Sequence, residues 1–163
     1  MKVDHSHSNV TIGIPTKNRY STLVLTLQSV ALQTVKPDSV IIVDDTDNPT
    51  DLRTLPEYQS VFQLFDAKGV AWQVVFGRKF GQHHSHQMVQ EMAATDFIWR
   101  IDDDEVAEPN VLEELLSQMR QHGPFDYIVF ADVLEHLPNP AEIGCDKVVD
   151  LSNKSAVVAE AAT

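Results

Sequence analysis

A single cysteine, Cys145, among 163 residues leaves no partner for an internal disulfide, so a hydrophobic core has to carry the fold. A chain of this length suffices for that, burying roughly 70% of the surface its unfolded form would expose. Long apolar runs are missing too. Stretches such as Val40 to Val43 and Tyr127 to Ala131 have strand length, well short of the roughly 20 residues that span a bilayer, so no transmembrane segment is expected. Met1 to Asn9 is polar and histidine-bearing, without the apolar stretch of a signal peptide, and a reducing, cytoplasmic setting is the expectation. Basic charge is scarce. Twelve Lys and Arg stand against 24 Asp and Glu, a net charge of −12, which argues against a nucleic-acid partner and means that an anionic ligand would need local help.

What is present alternates between two periodicities. Val10 to Ile14 is a β-branched run read as a buried strand stopped by Pro15, and Val40 to Val43 is a second, apolar on both faces as a central parallel strand requires. Between them Leu23, Leu27, Val30 and Ala31 recur at helical spacing, with Ser21 offering an N-cap. A helix is expected over Pro56 to Ala67, stopped by Gly69, followed by a strand at Ala71 to Phe76. Further helices are expected over Ser85 to Ala94 and from Pro109 to near Gly123, with strands at Phe97 to Ile101 and Tyr127 to Val133. Strands and helices in alternation predict an α/β fold with an open, mainly parallel sheet and helices on both faces. One domain is expected over 8–150, followed by a weakly structured, Ala-rich tail at 151–163.

In such sheets ligands collect beyond the carboxyl ends of the strands. The residues that leave the four strands there are polar: Pro15-Thr16-Lys17-Asn18-Arg19, Asp44-Asp45, Gly77-Arg78-Lys79 and Asp102-Asp103-Asp104-Glu105. Adjacent carboxylates at a strand end repel one another unless a cation neutralises them, and hard oxygen donors suit Mg²⁺ or Mn²⁺. Such an ion takes one or two protein carboxylates and fills its remaining sites from water and substrate phosphates. A solvated acidic turn ahead of the helix opened by Pro109 is the plainer reading of the same residues.

Val10-Thr-Ile-Gly-Ile-Pro-Thr-Lys-Asn-Arg19, Val40-Ile-Ile-Val-Asp-Asp45 and Phe97-Ile-Trp-Arg-Ile-Asp-Asp-Asp-Glu105, in that order, resemble the motif series of family-two glycosyltransferases over about residues 10 to 120. The resemblance implies a Rossmann-like GT-A fold. It also implies metal-assisted transfer, with inversion, of a sugar from a nucleoside diphosphate sugar, most commonly a UDP-sugar, to an acceptor that the sequence does not identify. By the same resemblance Pro15, Thr16, Asn18, Arg19, Asp44, Asp45, Asp102 and Asp103 would hold the donor nucleotide. Asp102 and Asp104 match the family's Asp-x-Asp pattern and would serve the metal, with Glu105 assisting. Arg78 and Lys79 are candidates for the diphosphate, although basic residues beside a strand end are most often simply solvated. Where many members carry Ala-Arg-Asn, this chain reads Ser85-His86-Gln87, so His86 is a substitute candidate for the phosphates.

Three features fit less well. The family's general base lies in a later acidic motif, and none of Asp132, Glu135 and Asp146 matches it, which leaves a noncatalytic donor-binding fragment as an alternative. His83, His84 and His86 are closely spaced, but no cysteine or carboxylate joins them at a zinc-ligand spacing. The stretch 125–140 is similar to a strand and loop of class I S-adenosylmethionine-dependent methyltransferases, a further alternative that lacks its main support because the chain contains no Gly-x-Gly turn.

Overall fold

A computed structural model of the chain describes residues 8–122 together with the strand segments 127–130, 145–151 and 156–161. The order is β1 (Val10–Thr16), α1 (Tyr20–Ala31), β2 (Ser39–Asp44), a 3-10 turn at Leu52–Thr54, α2 (Pro56–Lys68), β3 (Ala71–Phe76), α3 (Gln82–Met92), β4 (Phe97–Arg100) and α4 (Val111–His122). Three more strands follow: β5 (Tyr127–Phe130), β6 (Cys145–Leu151) and β7 (Ala156–Ala161). The chain divides into two compact units, Met1–Glu113 and Glu114–Thr163.

In the first unit four strands form one parallel sheet in the order β3-β2-β1-β4. Every residue of β1 is buried, as is β2 from Val40 onward, which explains why their sequences are apolar in both parities. The two faces are covered by different helices. Ile12, Val40 and Trp72 are in register, and Trp72 stacks on Phe62 of α2 with ring centroids 4.0 Å apart, so α2 covers this face. Residues of the other parity, Ile41 and Val43 with Val75 and Ile98 beside them, pack on Val89 and Met88 of α3. The expected Rossmann-like arrangement with helices on both faces is therefore present.

Local chemistry sets the ends of the elements. Pro56 opens α2, and Gly69, at φ 65°, closes it while its N–H and that of Val70 satisfy the Asp66 and Phe65 carbonyls. Pro15 does not stop β1, contrary to expectation. The Thr16 carbonyl accepts from Asp45 on the β2 side and the Gly13 carbonyl from Ile101 on the β4 side. Alternation then turns the Pro15 nitrogen toward β4, whose strand pairing ends at Gly13, so no ladder bond is lost there. Helix α1 begins at Tyr20 with Arg19 as N-cap, which places Ser21 inside the first turn rather than at the cap. Asn18, at φ 59°, makes the bend that brings the helix in early.

In the second unit β5, β7 and β6 form an antiparallel sheet in that order. Tyr127–Phe130 thus pairs outside the parallel sheet, and β7 falls within the stretch read from sequence as a tail. Asp132 and Glu135 lie outside the described residues, as does the stretch 125–140 apart from β5; Asp146 lies on β6. Among the described residues no helix is long and apolar enough to cross a membrane.

Gly13 marks where α3 touches the sheet. A Cβ at this position would lie 2.5 Å from Val89 Cγ1, and valine is too stiff to yield. Gly13→Ala is therefore expected to destabilise the domain by about 1–3 kcal/mol in urea unfolding, with Val89→Ala added on top recovering part of the loss.

Candidate functional site

The carboxyl ends of the four strands meet along one rim, and buried carboxylates tie its loops together. Asp44 ends β2 fully buried and accepts hydrogen bonds from the Tyr20 hydroxyl at 2.6 Å and from its neighbour Thr46 N–H at 3.0 Å. Burial, and after it the hydrogen bond to Asp44, pushes the Tyr20 phenol above its ordinary pKa, so it stays protonated and donating. Asn18 N–H donates to the Thr46 hydroxyl at 2.9 Å, which clips the loop after β1 to the turn after β2. Asp45, also buried, accepts from the Lys79 N–H at 2.6 Å and the Gly81 N–H at 3.4 Å, which fixes the loop between β3 and α3.

Beyond β4 the acids alternate in exposure. Asp103 is buried and accepts from the Thr16 hydroxyl at 2.7 Å and from Arg19 Nη1 at 3.3 Å. Asp102 and Asp104 on either side are exposed. The same Arg19 nitrogen donates to Asp104 Oδ2 at 2.8 Å, so one guanidinium neutralises two neighbouring carboxylates. Asp102 accepts from the Gln82 side-chain amide at 2.9 Å, and its own N–H donates to Glu105 Oε2 at 3.3 Å. The structure thus brings Thr16, Arg19, Asp102, Asp103 and Asp104 together, with Pro15 buried behind them in β1.

Of the basic candidates, Lys79 is turned away from the acids. Its backbone sits at φ 61°, and its ammonium donates to the Asp47 carbonyl at 2.8 Å. Arg78 is exposed next to it. Helix α3 starts at Gln82 after Gly81, at φ 88°, three residues earlier than the apolar pattern indicates. His86 lies one turn along from Gln82, half-buried, with its Nδ1 lacking a hydrogen-bond partner, as does Nε2 of His84. No group of three His, Cys, Asp or Glu able to hold a metal occurs among the described residues.

Sequence reasoning missed Tyr20, Thr46 and Gln82. The Gly81-Gln82 pair was the one available signal, since glycine commonly frees the backbone at a helix start.

Burial, reinforced by the charge of Arg100 and only partly offset by Asp102, lowers the His86 pKa below its ordinary value of 6.5. The folded state then binds the proton less tightly than the unfolded chain, so this residue costs stability as pH falls through the unfolded value. Proton-detected NMR titration should find His86 below 6.5, and His86→Gln should flatten the matching part of the stability profile.

Several comparisons bear on what this rim belongs to. The family model described as glycosyl transferase family 2 matches residues 11–137. No curated protein matches the sequence. Among solved structures, TarS 1-349 of S. aureus in complex with UDP-GlcNAc is 17% identical with a TM-score of 0.56, over 91% of this chain and 44% of that one. The mannosyltransferase PcManGT from Pyrobaculum calidifontis, in complex with GDP-Man and Mn2+, is 15% identical with a TM-score of 0.54, over 93% and 44%. This chain therefore spans less than half the length of either of these two structures, and at such identities the likeness speaks for the GT-A-type fold. The family match covers most of the sequence, and the chain belongs to glycosyl transferase family 2.

Proposed function

We propose that this chain binds a nucleoside diphosphate sugar at the rim and serves a glycosyltransferase that passes the sugar to an acceptor with inversion, a UDP-sugar being the first donor to test. The observation that carries the reading is the alternation at 102–104. The middle acid is consumed in holding the segment after β4 to Thr16 at the end of β1, while Asp102 and Asp104 are exposed on either side of it. Family membership and two fold neighbours whose complexes hold UDP-GlcNAc and GDP-Man support the donor class.

The donor set suits a hard divalent cation, Mg²⁺ or Mn²⁺. Asp102 and Asp104 offer carboxylate oxygens and Glu105 lies beside them, a partial set of the kind completed by water and diphosphate oxygens. When bound, such a cation neutralises charge developing on the departing diphosphate. The chain's own groups do the rest of the binding. Gln82, already on Asp102, orients that carboxylate, and His86, neutral near pH 7, is available as a hydrogen-bonding group rather than a second cation. Asp44 and Asp45 act at the nucleoside end through the turns they hold, and Pro15 and Thr16 at the end of β1, with Asn18 after them, shape the rim opposite. Arg19 is the charge that a bound cation would displace, because any cation on Asp104 competes with its guanidinium.

The test is calorimetric titration of the purified chain with UDP and GDP in the presence of Mn²⁺, with S-adenosylmethionine as a control ligand. Metal-dependent nucleotide binding that Asp104→Ala abolishes is the expected result; binding of S-adenosylmethionine alone would overturn the reading. Arg19→Ala should tighten binding of Mn²⁺ without nucleotide by up to about fivefold, the weight of one exposed ion pair, read by electron paramagnetic resonance of the free ion.

A further inference from the structure

We propose that Phe80 is the surface on which the base of the donor nucleotide stacks, an inference that rests on the donor-binding reading above. Phe80 is 75% exposed, more than Val106 at 68% or Phe76 at 51%, although burying an aromatic ring is among the more favourable things a fold can do. The loop that carries it is not slack. Asp45, buried, holds the N–H of Lys79 and the N–H of Gly81, the two amides flanking Phe80. Lys79 occupies the left-handed region at φ 61°, which side chains rarely adopt, and its ammonium is tied to the Asp47 carbonyl. At Gly77 a Cβ would overlap the Asp45 carboxylate, so the loop passes over that group with nothing to spare. A backbone constrained at three alternate positions, 77, 79 and 81, presents one apolar ring to solvent.

The position of that ring selects its ligand. Phe80 hangs from the carboxylate of Asp45, whose N–H is bonded to the Thr16 carbonyl, so it stands over the junction of the loops after β1, β2 and β3. The end of β1 and the loop after it, from Pro15 to Arg19, contain no aromatic residue. Tyr20 beyond it is committed, with its ring edge-on to Tyr58 and its hydroxyl on Asp44. Phe80 meets His84 at 79° with centroids 5.2 Å apart, a contact that steadies the ring while most of it stays open. A planar heterocycle needs such a flat apolar face, and stacking tolerates any base because every base has one.

The measurement is calorimetry with UDP and, separately, inorganic pyrophosphate, both with Mn²⁺, on the unmodified chain and on Phe80→Ala, Phe80→Leu and Phe80→Trp. Being exposed, the position should accept all three without loss of fold, which thermal melting checks. The expected result is a loss of about tenfold or more in UDP affinity for Ala, a comparable loss for Leu, recovery with Trp, and unchanged pyrophosphate binding throughout. Equal UDP affinity in Phe80→Ala and the unmodified chain overturns this inference alone. So does an equal loss for UDP and pyrophosphate, which would assign the effect to the loop rather than to the ring. Failure of the unmodified chain to bind either UDP or GDP removes the donor reading and this inference together.

Discussion

The carboxylate of Asp45, buried at the carboxyl end of β2, is the contact on which the shape of the rim depends. A charged group taken out of water costs several kcal/mol unless donors surround it, so the chain is obliged to bring them. It brings backbone amides from beyond β3, and the loop they belong to has to bend through a left-handed residue to deliver them. The residue's own N–H meanwhile bonds to Thr16 at the end of β1. One side chain and its amide therefore fix three strand exits relative to one another. Asp103 repeats the device on the far side, where Thr16 and Arg19 supply the donors and β4 is joined to β1. Asp44 completes the series through Tyr20 and Thr46.

This arrangement separates two uses of the same chemical group. The segment leaving β4 turns at Asp103 and Asp104, with the Glu105 N–H on the Asp102 carbonyl, so the three aspartates do not share one direction. Asp103 faces the protein and holds it together, while Asp102 and Asp104 face outward. The net charge of −12 makes this outward pair expensive, and Arg19 and Gln82 blunt the cost in the protein alone. A ligand carrying its own cation would relieve the same repulsion more completely, which is the physical reason an acidic protein can recognise an anion.

The sheet was legible in the sequence because its central strands are apolar in both parities and its turns carry strong punctuation. Pro56 and Gly69 bracket α2, and the apolar spacing of Val89 and Met88 found the face α3 buries. The helix starts were less legible. Arg19 and Gly81 cap α1 and α3 through backbone geometry, at Asn18 and at Gly81 itself, and no side-chain cap advertises either. The acids were found as a group, but their separate roles were hidden. Which aspartate is buried depends on Thr16 and Arg19, more than 80 positions away in the chain. Strands β6 and β7 went unanticipated because β6 carries only short apolar runs between charged residues and β7 lies in an Ala-rich stretch of low strand propensity.

Asp103 holds the fold together, whereas exposed Asp104 would exchange its Arg19 partner for the cation of a ligand. Thermal unfolding of Asp103→Ala and Asp104→Ala side by side tests it most directly, with Mn²⁺ and UDP absent and then present. Asp103→Ala should have a clearly lower Tm, because Thr16 and Arg19 lose a buried partner, and Asp104→Ala a Tm near that of the unmodified chain. Added Mn²⁺ and UDP should then raise the Tm of the unmodified chain but not that of Asp104→Ala. Equal destabilisation by the two substitutions, or a full ligand-induced rise in Asp104→Ala, would contradict it.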